Sequence, residues 1–364
     1  MVNVTDANDA PTMVELTSTD VDEDQAIGTI VGSLSSLDVD AGDTHTYSLV
    51  AGSGDTDNAS FTIVGTELQT TVIFNYSVKT VYKVRIQTTD AGGETYSKAF
   101  VINVLDINDA PTDITLSNAV IGENQPINSS VGFFSTIDED NGDTHTYSLV
   151  AGTGDVDNNK FLITNGELKT TSIFDFETKN SYSIRVQTND GKGGTFAKEF
   201  IITITDQNDA PTDIALSANT VAENSPFGTS IGLFTTTDVD AGDSHTYSLA
   251  SGSNSDNDFF SIVGNELKTK AIFDFEDDNS FVVNIQTTDS QGGTFTKQFV
   301  ITITDANDAP TMVELTSTDV DEDQAIGTVV ANLSSIDVDA GDTHTYSLVA
   351  GSGDVDNANF TIVG

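Results

Sequence analysis

Acidic side chains are grouped at five places between residues 120 and 210 of this chain. Glu123 follows a short apolar run, and Asp138 and Asp140 form an Asp-x-Asp pair with Asp143 close behind. Asp175 and Glu177 flank Phe176, Asp190 precedes a glycine, and Asp206, Asn208 and Asp209 close the set. Clustered carboxylates with no Lys or Arg to pair them repel one another unless a cation sits among them. Hard oxygen donors in this number, with Asn and backbone carbonyls beside them, suit Ca²⁺. Any one of these motifs alone reads as a solvated turn. The ordered set is what points to an ion.

The set recurs. Asp6-Ala7-Asn8-Asp9-Ala10-Pro11 returns at Asp106-Ile107-Asn108-Asp109-Ala110-Pro111, at Asp206-Gln207-Asn208-Asp209-Ala210-Pro211 and at Asp305-Ala306-Asn307-Asp308-Ala309-Pro310. The intervals are 100, 100 and 99 residues. A period of this size is a whole domain, not a solenoid unit of about 20–50 residues. The expected division is 1–10 as the end of a preceding repeat and its linker, then repeats at 11–110, 111–210 and 211–309. A truncated fourth repeat occupies 310–364. Val2-Asn3-Val4-Thr5-Asp6 matches Ile102-Asn103-Val104-Leu105-Asp106, and Gly364 corresponds to Gly264. Both ends are therefore expected to be cut from a longer array.

Composition excludes several partners. Asp and Glu number 57 against 13 Lys and Arg, for a net charge of −44 over 364 residues. Such a chain repels a nucleic-acid backbone and an anionic membrane surface. The excess strains the folded state by self-repulsion, which metal cations would offset. No Cys is present, so no disulfide staples the fold. The apolar runs are too short to span a bilayer.

The elements that must position these groups are strands. Tyr82, Val84 and Ile86 alternate with Lys83, Arg85 and Gln87, a period of two with one apolar face. Phe100, Ile102 and Val104 repeat the pattern, and Gly, Asn and Asp cluster between the runs. In the first repeat the strands are predicted near 13–18, 27–35, 44–50, 60–64, 67–72, 81–89 and 95–105. The fold class is all-β: tandem Greek-key seven-stranded β-sandwiches arranged as an elongated rod. Loops then lie at the two ends of each sandwich. Glu123, Asp175 and Glu177 fall at the end adjoining the third repeat, and Asp138, Asp140 and Asp190 at the end adjoining the first.

Other motifs carry less. Asp38-Val39-Asp40-Ala41-Gly42 begins like an EF-hand loop, but its twelfth position is Leu49 and no helices flank it. Asp55 and Asp57, with Asp155 and Asp157, read as a plain acidic turn. His45, His145, His245 and His344 hold one strand position in every repeat, a packing role. One His per domain assembles no zinc site. Ser, His and Asp occur, but nothing places them together, and tandem near-identical copies argue against an enzyme.

The order of these motifs resembles the cadherin repeat. That family carries a Glu after its first strand, an Asp-x-Asp before the third, an Asp-Arg-Glu-like motif, an Asp-x-Gly turn and an Asp-x-Asn-Asp-Asn-x-Pro linker. Here the linker reads Asn-Asp-Ala-Pro, and Phe176 stands in place of the Arg. These departures, the internal similarity and the Thr/Asp/Gly-rich style resemble bacterial cadherin-like repeats of large surface adhesins. The resemblance implies an immunoglobulin-like sandwich, an extracellular or bacterial cell-surface location, and calcium clusters at the joints.

Carried over residue by residue, the joint of repeats two and three would use Glu123, Asp175, Glu177, Asp206, Asn208, Asp209, Asp238, Asp240 and Asp289. The joint of repeats three and four would use Glu223, Asp274, Glu276, Asp305, Asn307, Asp308, Asp337 and Asp339. The joint of repeats one and two would use Glu23, Asp106, Asn108, Asp109, Asp138, Asp140 and Asp190. There the Asp-x-Glu is replaced by Asn75-Tyr76-Ser77, so this joint is expected to bind ions weakly and to bend. The implied function is a calcium-stiffened stalk serving cell adhesion. The alternative is direct binding by the repeats, to another copy, a cell-surface protein or a glycan.

Overall fold

The computed structural model describes residues 2–3, 7–252 and 255–364. Part of the strand expected at 2–6, including Asp6 of the first linker, lies outside them. The chain divides into two compact units, Met1–Asp206 and Gln207–Gly364.

In the first unit, the first repeat runs β1 (Met13–Leu16), β2 (Asp20–Asp22), β3 (Ile30–Leu37), β4 (Thr46–Leu49), β5 (Phe61–Val64), β6 (Glu67–Thr70), β7 (Val81–Thr89) and β8 (Thr95–Leu105). One sheet has the order β1-β3-β6-β5 and the other β2-β8-β7-β4. Their facing sides alternate with solvent-facing ones, as in an aligned sandwich. Val14, Leu34, Leu68, Ile86 and Ile102 meet in the core. Ile114, Phe134, Leu168, Val186 and Ile202 do the same in the second repeat, and Ile214, Phe234, Leu267, Ile285 and Ile301 in the third. The protein is thus all-β, built of tandem sandwiches, and among the described residues its helical elements are three-residue turns such as Asn58–Ser60.

The expected first strand at 13–18 is shorter, Met13–Leu16, and a strand that was not expected follows at Asp20–Asp22. β1 pairs antiparallel with β3, and β2 pairs parallel with β8 in the opposite sheet. The chain changes sheets at Ser18 and Thr19. Gly32 permits this, because a Cβ there would lie 2.8 Å from the backbone nitrogen of Ser18. The switch fixes a functional position. It runs β2 alongside the end of β8, so the next residue, Glu23, lands beside the linker.

Polar groups also join the sheets. Ser36 Oγ lies 2.6 Å from Thr88 Oγ1 and 3.1 Å from Tyr47 Oη. Thr136, Thr188 and Tyr147 repeat the arrangement. Thr88 and Thr188 are fully buried, so these bonds satisfy groups that would otherwise be costly to bury.

In the second unit, the third repeat forms sheets of the same strand order, from Asp213–Leu216 to Thr294–Thr304. Beyond it, Met312–Leu315 pairs with Leu333–Ile336 in a two-stranded sheet. Val313 is 61% exposed there, whereas its counterpart Val14 is 0% exposed.

Candidate metal centres

Each repeat builds its acidic end groups from backbone geometry. Glu23 is buried, and both its oxygens accept backbone bonds: Oε2 from Tyr76 at 2.6 Å and Oε1 from Ile107 in the linker at 3.0 Å. Glu223 is held in the same way by Phe275 and Ala306, each at 2.7 Å. Glu123 is fully buried and accepts from Phe176 at 2.7 Å. A buried carboxylate kept by two amides is a fixed oxygen donor pair, not a solvated side chain. Beside it, carboxylate oxygens of Glu123, Asp175 and Glu177 lie within 4.8 Å of one another, as do those of Glu223, Asp274 and Glu276.

The opposite end of the repeat is built around the glycine turn. Asp190 Oδ1 accepts from the backbone nitrogens of Lys192, Gly193 and Gly194 at 2.8, 2.9 and 3.0 Å. Asn108 of the linker donates to Asp190 Oδ2 at 3.0 Å. That amide and the turn's N–H groups hold the Asp190 carboxyl below the usual range against the cost of burial. Asp289 repeats the turn, with Asn208 as its amide partner at 3.1 Å. Asp109 and Asp308 each donate a backbone N–H to the second Asp of the Asp-x-Asp pair, Asp140 at 2.7 Å and Asp339 at 2.6 Å. Asp209 does the same to Asp240 at 2.7 Å.

The histidines have a role that packing alone does not describe. His145 Nε2 lies 2.8 Å from Asp138 Oδ2, His245 Nε2 2.8 Å from Asp238 Oδ2, and His344 Nε2 2.8 Å from Asp337 Oδ2. His45 pairs with Asp38 at 3.1 Å. Each imidazole thus orients the first Asp of an Asp-x-Asp pair, as outer partners orient metal ligands.

Sequence reasoning notes Asp143 beside the Asp-x-Asp pair but leaves it and its counterparts out of the ligand sets. Asp138, Asp143 and Asp190 bring carboxylate oxygens within 4.8 Å, and so do Asp38, Asp43 and Asp90. Asp43, Asp143, Asp243 and Asp342 all end an Asp-x-Asp-x-Gly-Asp run. That recurrence was the available signal. The expectation that no basic residue pairs these carboxylates is corrected in one place. Lys192 Nζ sits 2.6 Å from Asp143 Oδ1. The acidic turns at Asp57 and Asp157 are also paired, with Lys79 and Lys179.

Electrostatic crowding marks the joints within each unit. Burial, then the charge of Asp24 and a hydrogen bond with it, pushes the Asp109 carboxyl up to about 6. Burial and the Asp140 and Glu23 charges push Asp106 up. Asp305 and Glu276 rise in the same way, by burial and by the acidic groups around them. A cleft of about 370 Å³ opens at the first joint, lined by Tyr76, Ser77, Thr80, Asp106, Asp140 and Asn141. Among the described residues, Oδ2 of Asp43, Asp143 and Asp243, Oδ1 of Asn208 and Oδ1 of Asp339 are buried at these repeat ends without a hydrogen-bond partner. Buried oxygens normally have partners. Their donor type and grouping fit a hard cation with several oxygen ligands. Of the residues carried over to the joint of repeats two and three, Glu123, Asp175, Glu177 and Asp206 belong to the first unit. Asn208, Asp209, Asp238, Asp240 and Asp289 belong to the second.

A cadherin-domain family model matches residues 117–205 and 218–304. Protocadherin Fat 4 of Homo sapiens is 25% identical over 358 residues, which is 93% of this chain and 7% of that protein. Protocadherin gamma-A6 of Homo sapiens is 29% identical over 246 residues, 63% of this chain and 26% of that protein. The solved extracellular domain of protocadherin gamma B4 matches with a TM-score of 0.59 at 23% identity, over 93% of this chain and 58% of that one. That last likeness is one of fold.

Proposed function

We propose that this chain, which a cadherin-domain model matches over residues 117–205 and 218–304, is a calcium-binding, calcium-stiffened stalk of a large bacterial adhesin, extracellular and serving cell adhesion. The observation that carries this reading is the set of buried oxygens without partners, grouped with carboxylates at the ends of the repeats. A stalk lengthens by repetition, and the close internal similarity of the copies suits that use. The bacterial source rests on that similarity and on the Thr/Asp/Gly-rich style; the two relatives named above are human proteins. The domain boundaries at 110, 210 and 309 belong to the same proposal.

In this reading the calcium ligands at the first joint are Glu23, Asp106, Asn108, Asp109, Asp138, Asp140 and Asp190, joined by Asp143. At the joint of repeats three and four they are Glu223, Asp274, Glu276, Asp305, Asn307, Asp308, Asp337 and Asp339. Calcium would supply fixed positive charge there. The chain's own part is to hold the donors in place, Glu23 and Glu223 by backbone amides and Asp138 and Asp337 by histidine. The test is calorimetric titration of the full chain with Ca²⁺ and with Mg²⁺. Saturable calcium binding that magnesium does not reproduce is expected, and no calcium heat overturns the reading.

A second reading, direct binding to another copy or to a glycan, is favoured by one feature. Phe133 and Ile137 stand exposed on a single strand, Ser130–Ile137, at 56% and 54%. Aggregation of beads coated with the chain, with and without Ca²⁺, separates a binder from a spacer.

A further inference from the structure

Four residues at the joint of repeats one and two depart together from their counterparts elsewhere in the chain. Asn75 stands where the next repeats have Asp175 and Asp274, and Ser77 where they have Glu177 and Glu276. Glu139 stands where the other Asp-x-Asp pairs enclose Val39, Val239 and Val338. Lys192 stands where the other turns have Gly92 and Gln291. Two carboxylates are lost from one side of the joint, and a carboxylate and an ammonium appear on the other.

The structure brings three of these residues into contact across the joint and pairs the fourth, Lys192, with Asp143 of its own repeat. Asn75 donates from Nδ2 to Glu139 Oε1 at 2.5 Å, and Ser77 donates from Oγ to the Glu139 backbone carbonyl at 3.3 Å. Both bonds run from the first repeat to the second. Lys192 pairs with Asp143 at 2.6 Å, and the Asp140 and Asp106 charges also act on its ammonium. Asp143 is 5% exposed in its side chain, so the ammonium meets a carboxylate that is nearly out of water. A charge-assisted bond to such a group is stronger than one between neutral partners. At the joint of repeats three and four, the counterparts Asp274 and Glu276 instead cluster with Glu223.

We propose that the joint of repeats one and two is clamped by its own side chains, Asn75 and Ser77 against Glu139, with Lys192 as a tethered cation on Asp143. It takes up fewer calcium ions than a joint with the full carboxylate set, and it keeps its alignment when calcium is withdrawn. The four substitutions are a matched exchange. Restoring an ion-binding carboxylate at Asn75 or Ser77 without removing Glu139 would set like charges against each other. This inference rests on the calcium reading above and narrows it: the expected hinge is a calcium-independent clamp.

The chain has no cysteine, so introduced cysteines carry spin labels cleanly. Val64 and Val156 are 54% and 77% exposed, one in each repeat, and Val64→Cys with Val156→Cys reports the joint. In the full chain, the label distance distribution is expected to be narrow both in calcium and in EGTA. A distribution that broadens in EGTA overturns the clamp. The second protein adds Asn75→Asp, Ser77→Glu, Glu139→Val and Lys192→Gln, which give this joint the composition of the others. It is expected to be narrow in calcium and broad in EGTA. If it stays narrow in EGTA, the four residues are not what holds the joint and the clamp is overturned. If it is broad in both conditions while the native chain stays narrow, the clamp stands and calcium stiffening fails.

Discussion

Asn108 and Asp190, 82 residues apart in sequence, share a hydrogen bond of 3.0 Å between the linker amide and the carboxylate of the glycine turn. The linker is therefore fastened to the repeat that follows it. Asn8 with Asp90 and Asn208 with Asp289 repeat the bond, each at 3.1 Å. Because Nδ2 is spent on the turn, Oδ1 of the same amide faces away, and in Asn208 that oxygen is buried without a partner. One side chain thus fixes the linker and offers an oxygen to a cation.

Replacing that amide tests both uses. Asn108→Ala should cost about 1.5–3 kcal/mol, the range for a hydrogen bond to a charged group. Asn108→Asp should do worse without calcium, since it sets a second carboxylate against Asp190. Calcium should restore much of the loss in Asn108→Asp and little in Asn108→Ala. Thermal melts of the two variants with calcium and with EGTA give the answer; equal behaviour in both conditions contradicts a metal-facing oxygen.

A glycine guards the same turn. A Cβ on Gly194 would lie 2.2 Å from Asp190 Oδ2 and 2.8 Å from Ala110 Cα. Gly194→Ala must therefore displace either the carboxylate or the linker. The expected outcome is weaker calcium binding together with a loss of about 1–3 kcal/mol, as for other overpacked sites. A variant that melts and titrates like the native protein would show that the turn yields freely.

Titration of the crowded carboxylates has a definite sign. Asp109 is pushed up to about 6 from an ordinary 3.8, so between those values the folded chain holds a proton that the unfolded chain releases. Its contribution to stability is complete below 3.8 and is lost as pH rises through about 6. Asp106, Asp305 and Glu276 shift in the same direction. Without calcium, the melting temperature should climb as pH falls from about 7.5 to about 5.5. With saturating calcium the climb should shrink, because the ion and the proton compete for the same oxygens. A calcium-free melting temperature that is flat or falling across this window contradicts the crowding.

Much of this architecture is legible in the sequence. The alternation Val84, Ile86 against Lys83, Arg85 places β7 at Val81–Thr89 as expected, and β8 spans the predicted 95–105. Alternation is a local property, so it survives without tertiary context. The additional strand β2 is not legible, because Ser18 and Thr19 suit a strand as well as a crossing and Asp20–Asp22 reads as an acidic turn. The second strand begins at Ile30 and not near 27, because Gly28 adopts a φ of 91° in the preceding turn. At the site, the recurrent Asp, Glu and Asn positions stand out by type and order, and the structure gathers Glu123 with Asp175 and Glu177, and Glu223 with Asp274 and Glu276. The Glu139 and Lys192 contacts do not stand out, since their partners Asn75 and Asp143 are distant in sequence.

The residues beyond Thr311 should be the first to yield to protease. Val313 and Phe360 are 61% and 49% exposed, and their counterparts Val14 and Phe61 are at most 4% exposed. A two-stranded sheet is marginal by itself in water. Limited proteolysis followed by mass measurement should give a resistant core ending near this point, and a resistant fragment that reaches Gly364 would contradict it.

Calcium stiffening is tested most directly by small-angle X-ray scattering of the full chain, in calcium and again after EGTA. Binding that favours the folded, aligned state stabilises it by mass action, about 2.7 kcal/mol at a hundredfold excess over Kd. Calcium sites of extracellular modules bind at about 10⁻⁴–10⁻³ M, so the measurement should reach millimolar calcium. Chelation should shorten the largest dimension and broaden the distance distribution, and restored calcium should reverse both. Superimposable profiles in calcium and EGTA would contradict the account.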